Sequence, residues 1–358
     1  MPIYLINLFI VVLAVFLASR ERSVVASRIY LAIALASMVL VAGLRDQYVG
    51  TDTGYYILDF SLVRTFNDAI NRGSEDREFG LFILSWLTHF ISDRYMAFLF
   101  TIALIAVGCY SRAILRYSKN TVISFFVFIT MGFYTFFFNG ARQGLACAIY
   151  ALAIGPLLER NLKKYLAYVL AASLVHRSAL VTLPVYFLFN KENTIKTRLL
   201  ILLLGCAGAY FFHAMIDISS RFTDRFADYG GAGAAGGYYS VALVCALCLF
   251  FFVVRKPIQE YRDEYDLFLN LFSFGTIISV VPTLFGADPS GILRLNIYFS
   301  FSAVFLWPIL FKNLKQPGLR AFFVIFFVSL HVVLYILSTE RFSDLIPYTF
   351  NPDLPFMQ

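Results

Sequence analysis

The chain has 358 residues, of which 60% are hydrophobic and only 14% are charged. A water-soluble domain cannot cover its exterior with so few charged residues, so the composition indicates an integral membrane protein. The formal net charge of +7 does not indicate nucleic-acid binding. The basic residues lie in short loops between apolar runs, where they orient a membrane chain.

Apolar runs of roughly 17 to 22 residues recur along the chain, which is the length a helix needs to cross a hydrocarbon layer ~30 Å thick. Barrel strands would instead alternate in shorter segments. The sequence therefore predicts an all-α fold: a polytopic integral membrane protein, one transmembrane domain over residues 1–358, with about 11–12 transmembrane or partly inserted helices. In chain order the predicted spans are 2–19, 29–44, 79–91, 95–110, 121–138, 141–158, 199–218, 238–254, 265–286, 293–311 and 319–338.

Two apolar segments are not expected to be simple spans. The segment 165–189 is interrupted by the sequence VHRS at 175–178, which predicts a broken helical hairpin that enters and leaves on one side. The run at 79–91 is the shortest of three apolar runs between two basic loops, where the number of crossings must be even. We therefore expect an interfacial or partly inserted helix there.

The non-spanning segments have predicted places too. Residues 1–19 lack a basic start and a small-residue cleavage site, so they are interpreted as a first membrane helix and not as a removed signal. Residues 45–78 are expected to form a periplasmic loop with an interfacial helix, 219–237 a Gly-rich periplasmic loop, and 339–358 a periplasmic tail. The glycine-rich loop has no lysine followed by Ser or Thr, so it is not a nucleotide-binding loop.

The cysteines predict no metal site. All five lie inside apolar stretches, and Cys245 with Cys248 lacks the second pair or the histidines of a zinc site. The sequence therefore predicts neither a metal nor a cofactor.

Lysine and arginine are distributed differently between the two sides of the predicted membrane domain. All eight lysines lie in loops that we assign to the cytoplasm. Eleven basic residues fall outside or at the outer interface, and every one is arginine. They are Arg45, Arg64, Arg72, Arg77, Arg94, Arg142, Arg177, Arg221, Arg225, Arg294 and Arg341. Because only guanidinium offers a planar fork for phosphate or carboxylate, this asymmetry favours an outward-facing anionic ligand.

Some polar residues are embedded in apolar segments, where a charge costs at least ~2.5 kcal/mol and normally lines a cavity or has a partner. Asn139, Arg142 and Gln143 are spaced to share one helix face. His176 and Arg177 lie between two apolar halves of a segment. The alternatives stay open: an arginine can anchor its helix at the headgroups, and His176 can be a hydrogen-bonded core residue.

Four stretches in order, GLRDQYVGTDTGYY at 43–56, REFGLFILSWL at 77–87, NGARQGLACAI at 139–149 and LVHRSALVTLPVYF at 174–187, resemble the EpsG/Wzy-like family of bacterial polysaccharide polymerases. The resemblance implies an enzyme of the bacterial inner membrane. It would join undecaprenyl-diphosphate-linked oligosaccharide repeat units of O-antigen, capsule or exopolysaccharide at the periplasmic face, by transfer of a growing chain to a hydroxyl of the next unit.

This chemistry assigns expected roles to the polar residues. Fixed arginines would stabilise the diphosphate leaving group without a metal, and a base would assist the attacking hydroxyl. The predicted diphosphate-binding residues are Arg45, Arg142, Arg177 and Arg294; the predicted catalytic residues are His176, Asp52 and Glu78; the predicted sugar-binding residues are Asn139, Gln143 and Asp288. Expected partners are the lipid-linked oligosaccharide and the bilayer, with a chain-length regulator left open and no nucleic acid.

Two other functions also fit outward arginines. A transporter or flippase for a lipid-linked oligosaccharide or other anion would use broken helices, but the sequence has no convincing internal repeat, and its polar groups cluster on one side. An O-acetyltransferase would need a route for a cytoplasmic acyl donor, or a catalytic His and Asp/Glu pair that the sequence alone does not place.

Overall fold

A computed structural model describes residues 1–76, 78–188, 196, 199–200, 202–204, 206–207, 235–284, 289–341 and 343–354. Within these ranges the chain is helical and forms no β-strand, in agreement with the all-α prediction. Seven helices are long and apolar enough to cross a membrane, or eight if one bent pair is counted as a span. The chain divides into two compact units, one of Met1–Val181 with Gln316–Gln358 and the other of Thr182–Lys315.

The first unit contains most of the candidate spans. Its helices are α1 Pro2–Arg20, α2 Val24–Gly43, α3 Thr53–Leu62, α4 Phe66–Asp76, α5 Gly80–His89, α6 Tyr95–Tyr117, α7 Thr121–Thr130, α8 Phe133–Asn139, α9 Ala141–Ala151, α10 Ile154–Leu158, α11 Leu162–Val175 and, after the second unit, α17 Pro317–Arg341. Residues 339–341, expected in the tail, therefore belong to the last helix of this unit.

Local sequence explains where several of these helices begin and end. The Ser23 and Asn120 side chains accept hydrogen bonds from the main-chain N–H groups of Ala26 and Ile123, which caps α2 and α7. Gly132 has φ of +80°, a left-handed conformation that glycine adopts without steric cost, and it separates α7 from α8. The predicted span 121–138 is therefore interrupted at Gly132, and Thr121–Asn139 as a whole is one of the seven candidate spans.

Two short elements match the expected departures from simple spans. Helix α5 has ten residues, about 15 Å of helix, which is too short to cross a ~30 Å layer. Helix α11 ends at Val175 and is followed by a 3-10 helix over Arg177–Thr182 and by α12, Val185–Leu188. The break in the segment 165–189 therefore falls at His176, inside the predicted interruption.

The second unit contributes α13 Ala235–Val253, α14 Arg262–Leu284, α15 Pro289–Ser300 and α16 Ala303–Asn313. Residues Leu293–Ser300 and Ala303–Asn313 form the bent pair, with an angle of 42° between them. Near the start of α14, Arg255 donates two hydrogen bonds of 2.6 Å, from Nε and Nη2, to the buried Asp266 carboxylate. Most of the predicted span 199–218 and of the Gly-rich loop 219–237 lies outside the described residues.

Candidate functional site

The loop after α2 is paired with the segment that follows α17. Arg45 forms an isolated antiparallel bridge with Phe350, and the Asp46 N–H donates to the Thr349 carbonyl at 2.9 Å. The Gly50 N–H donates to the Asp344 main-chain carbonyl at 3.0 Å. We call residues 44–51 together with 343–351 the latch. Its main-chain hydrogen bonds fix the conformation of the Gly-Thr-Asp loop from about 300 residues away in sequence.

Arg45 lies inside the latch. Only 1% of its surface is exposed, its guanidinium carbon lies 4.4 Å from the centre of the Phe138 ring, and Nη1 donates to the Ala42 carbonyl. A diphosphate could reach this guanidinium only if the packing opened. The predicted contact between Arg45 and a diphosphate stays a prediction.

Asn139 joins the latch to the end of α8. Its Oδ1 accepts from the Thr51 N–H at 3.1 Å, and its Nδ2 donates to the Ser343 carbonyl at 2.8 Å. Gly50 has φ of +97°, and a Cβ added there would lie 2.6 Å from the same Oδ1. The amide of Asn139 is thus already bonded at both ends, and its predicted sugar contact stays a prediction.

A second group of polar side chains gathers beside the latch, and we call it the charge cluster: Asp59, Arg72, Glu78, Arg142 and His176. Its centre is Glu78, whose Oε1 lies 2.6 Å from His176 Nδ1 and accepts from the Arg177 N–H at 3.1 Å. Glu78 keeps 10% of its side chain exposed and His176 keeps 29%. The pair is therefore partly exposed at the protein surface.

Arg142 links the two carboxylates of the cluster. Its Nη2 donates to Asp59 at 3.2 Å, its Nη1 lies 3.6 Å from Glu78, and its guanidinium carbon lies 5.0 Å from the Phe82 ring centre. Arg72 holds the other Asp59 oxygen at 2.8 Å. Arg142 is therefore fixed by two acids on separate segments, and its longer contact is the one to Glu78.

The environment of Glu78 keeps its carboxylate ionised. Burial alone would raise the pKa, but the contact with His176, the Arg177 N–H and the charge of Arg142 together hold the pKa of Glu78 below its usual 4.5. A carboxylate that stays charged beside an imidazole fixes the orientation of the ring. The pair is suited to accept a proton.

Local packing brings these distant residues together. A Cβ placed on Gly80 would lie 2.8 Å from Val175 Cα and 2.7 Å from its Cγ2, so only glycine allows the start of α5 to lie against the end of α11. Glu78 stands two residues before Gly80, and His176 follows Val175 directly. The glycine contact therefore sets the distance between the carboxylate and the imidazole.

The predicted site residues fall into separate places. The structure brings together Glu78, His176, Arg142 and the main chain of Arg177, whose side chain is exposed. Asp52 precedes α3 without capping it and is half-buried, and Gln143 is buried at 6% exposure. Arg294 is exposed on α15 of the second unit, and Asp288 lies outside the described residues.

The sequence reasoning missed Asp59, and it counted Arg72 only among the outward-facing arginines. Both lie in the segment 45–78, where Asp59 shares α3 with the apolar residues that suggested an interfacial helix. A charged residue in a polar loop carries no signal of its own. The only indication available was that an arginine embedded in an apolar helix, such as Arg142, needs an acidic partner.

These features define a class: a polytopic helical membrane protein with a histidine, carboxylate and arginine cluster where short helices meet the ends of spanning ones. A family model supports the same class and is more specific. The EpsG family model matches residues 28–350, nearly the whole chain, so the protein belongs to the EpsG family, a Wzy-like family of polysaccharide polymerases. No curated protein and no solved structure matches the chain.

Proposed function

We propose that this protein is a Wzy-type polymerase that joins undecaprenyl-diphosphate-linked oligosaccharide repeat units at the periplasmic face of the inner membrane, without a metal. The observation that carries the proposal is the contact of 2.6 Å between His176 and Glu78, with Arg142 across the same carboxylate. A base beside fixed guanidinium groups is what glycosyl transfer from a diphosphate requires.

In the proposed reaction, His176 takes the proton. Glu78 faces Nδ1, which places the proton of the neutral ring there and leaves Nε2 to accept the proton of the acceptor hydroxyl. The hydroxyl oxygen forms a bond to the anomeric carbon of the donor while the bond from that carbon to the diphosphate oxygen breaks. The diphosphate leaves with the electron pair, and the proton passes from His176 to the departing diphosphate or to solvent.

The arginines would stabilise the leaving group in different ways. The Arg177 side chain is exposed next to His176, so it can approach a diphosphate without giving up a carboxylate partner buried in the cluster. Arg142 keeps 18% of its side chain exposed, so we propose that it also contacts the diphosphate. The predicted diphosphate contact of Arg294, which lies in the second unit, stays a prediction, and Asp52 remains an alternative base.

The proposed orientation follows from the two ends of the helices. Arg142 begins α9 and His176 follows α11, while Lys163 and Lys164 lie in the first turn of α11 at its other end. Lysine-rich loops remain in the cytoplasm. The end that carries the charge cluster would therefore face the periplasm, where lipid-linked repeat units are joined.

The test is a polymerisation assay with matched histidine variants. Purified protein is incubated with undecaprenyl-diphosphate-linked repeat units extracted from cells that make it, and the products are separated on a gel. We expect a ladder from the wild type and a rate roughly 10²–10⁴-fold lower from His176→Gln. His89→Gln serves as the control, because His89 contacts Asp93 and the Phe60 carbonyl instead of the cluster.

Two results would overturn the proposal. An unchanged ladder from His176→Gln removes His176 from the chemistry. Movement of repeat units across a vesicle membrane with no ladder from the wild type identifies a transporter instead of a polymerase.

A further inference from the structure

A polar cavity lies at the opposite end of α11 from the charge cluster. It is a cavity of about 190 Å³ between the last turns of α6, the α10 segment and the first turns of α11. Lys164 and Tyr168 of α11 line it, whereas His176 lies beyond the opposite end of that helix. At 1.5 Å per residue the two sites are roughly 18 Å apart along α11.

The charge of this cavity is positive. Three basic side chains line it, Arg112, Arg116 and Lys164, against one acid, Glu159. Arg116 pairs with Glu159 at 3.4 Å. Within the described part of the chain, no carboxylate forms an ion pair with Arg112 or Lys164. Two cations therefore face one cavity with no acid to neutralise them, which is the arrangement that accepts an anion.

The walls of the cavity give it a defined shape. A Cβ on Gly155 would lie 1.8 Å from the Tyr117 hydroxyl, so the tyrosine rests directly against the main chain of α10. The Arg116 guanidinium carbon lies 5.5 Å from the Tyr117 ring centre. Tyrosine and arginine at the end of a spanning helix are typical of the headgroup layer of a bilayer.

Exposed apolar side chains on the two helices that supply the cavity's cations indicate the source of the anion. Leu115 is 40% exposed on α6, and Leu170 and Leu174 are 53% and 62% exposed on α11. On candidate spanning or adjoining helices of a membrane protein, exposed leucines face acyl chains. A ligand with a charged phosphate and an apolar tail would satisfy both the cavity and these leucines.

We propose that this cavity binds a phosphate-bearing anion, the headgroup of an anionic phospholipid, at a site separate from the charge cluster. The inference does not depend on the reaction proposed above. It predicts that a lipid stays bound to the purified full-length protein after detergent extraction.

The test is native mass spectrometry of the full chain titrated with phosphatidylglycerol, with zwitterionic phosphatidylcholine as the lipid control and inorganic phosphate as a competitor. We expect phosphatidylglycerol to bind more tightly than phosphatidylcholine. Arg112→Gln combined with Lys164→Gln should weaken phosphatidylglycerol binding roughly 10- to 30-fold, since each cation near an anionic lipid surface contributes roughly three- to fivefold.

The matched control is Arg22→Gln combined with Lys163→Gln. It removes two exposed charges from the loop before α2 and from the start of α11, outside the cavity. We expect this variant to bind phosphatidylglycerol like the wild type. Equal losses in both double variants, or no loss in the cavity variant, would overturn the site. Displacement of the lipid by inorganic phosphate at equal concentration would overturn the headgroup assignment, since a soluble phosphate compound would then suffice.

Discussion

The latch and the charge cluster each contain an arginine that the sequence suggested as a diphosphate ligand. The two arginines differ in burial and in their ion pairs. Arg45 is buried at 1% exposure against Phe138, and no carboxylate in the described residues forms an ion pair with it. Arg142 is held by Asp59 and Glu78 and keeps 18% of its side chain exposed. The difference separates a fully buried arginine from one that is paired with two acids and partly exposed.

The largest effect is expected from Glu78→Gln in the cluster. The substitution removes the charge that orients His176 and attracts Arg142 but keeps the side chain's size, so the elongation rate should fall about 10³-fold while the protein stays folded. The measurement is the initial rate of ladder formation, together with the melting temperature. Exposed Glu75→Gln, three residues away, is the control. A Glu78→Gln protein that elongates at the wild-type rate would remove Glu78 from the mechanism.

The next largest effect should come from the latch. Arg45→Ala removes a buried side chain and its contact with Phe138, so the free energy of unfolding should fall by about 3 kcal/mol. Chemical denaturation in detergent measures the change, with exposed Arg94→Ala as the control. If Arg45→Ala left stability unchanged and abolished polymer, Arg45 would belong to the ligand site and the comparison above would fail.

A smaller effect should come from Gly80→Ala, which tests how the cluster is positioned. The new Cβ would meet the main chain of Val175, so α5 must shift and Glu78 must move from His176; we expect a loss of about 1–3 kcal/mol in stability and a roughly tenfold slower elongation. Gly54→Ala is the matched control, because its nearest heavy atom is 4.0 Å away. Equal stability and equal elongation rates in the two alanine variants would show that the contact between Gly80 and Val175 does not position Glu78 against His176.

The smallest effect is a difference in pH dependence between wild type and Glu78→Gln. Because the pKa of Glu78 is depressed below 4.5 in the folded protein, its contribution to stability is complete above pH 4.5 and is lost as the pH falls through the folded value. The difference in melting temperature between the two proteins should therefore be constant from about pH 7 to 5.5 and should close below 4.5. A difference that closed above pH 5.5 would mean that the folded pKa of Glu78 is raised.

The apolar runs predicted the class of fold because a helix that crosses a bilayer must be apolar over a fixed length. They did not predict the breaks at Gly132 or between α9 and α10, because both halves of a broken span remain apolar. The break at His176 was predictable, since a polar pair interrupts the apolar segment there.

The candidate site was harder to derive than the fold. Glu78 and His176 were each identified as candidates from their residue types. They lie 98 positions apart in the sequence, and no periodicity predicts a contact between residues so far apart. Arginine and asparagine, the residue types of Arg45 and Asn139, bind ligands as well as other protein groups, so residue type alone did not predict which contacts these two make. In the structure their partners are the Ala42 carbonyl, Phe138, Thr51 and Ser343. The predicted ligand contacts of both residues stay predictions.

The latch also places the assembly of this region late in time. The segment 343–351 is synthesised about 300 residues after the loop that it pairs with, an interval of about 15–60 s at roughly 5–20 residues per second. During that interval Arg45 and the N–H groups of Asp46 and Gly50 lack their native main-chain partners from that segment. A chain that ends after α16 therefore lacks the main-chain partner of its Gly-Thr-Asp loop.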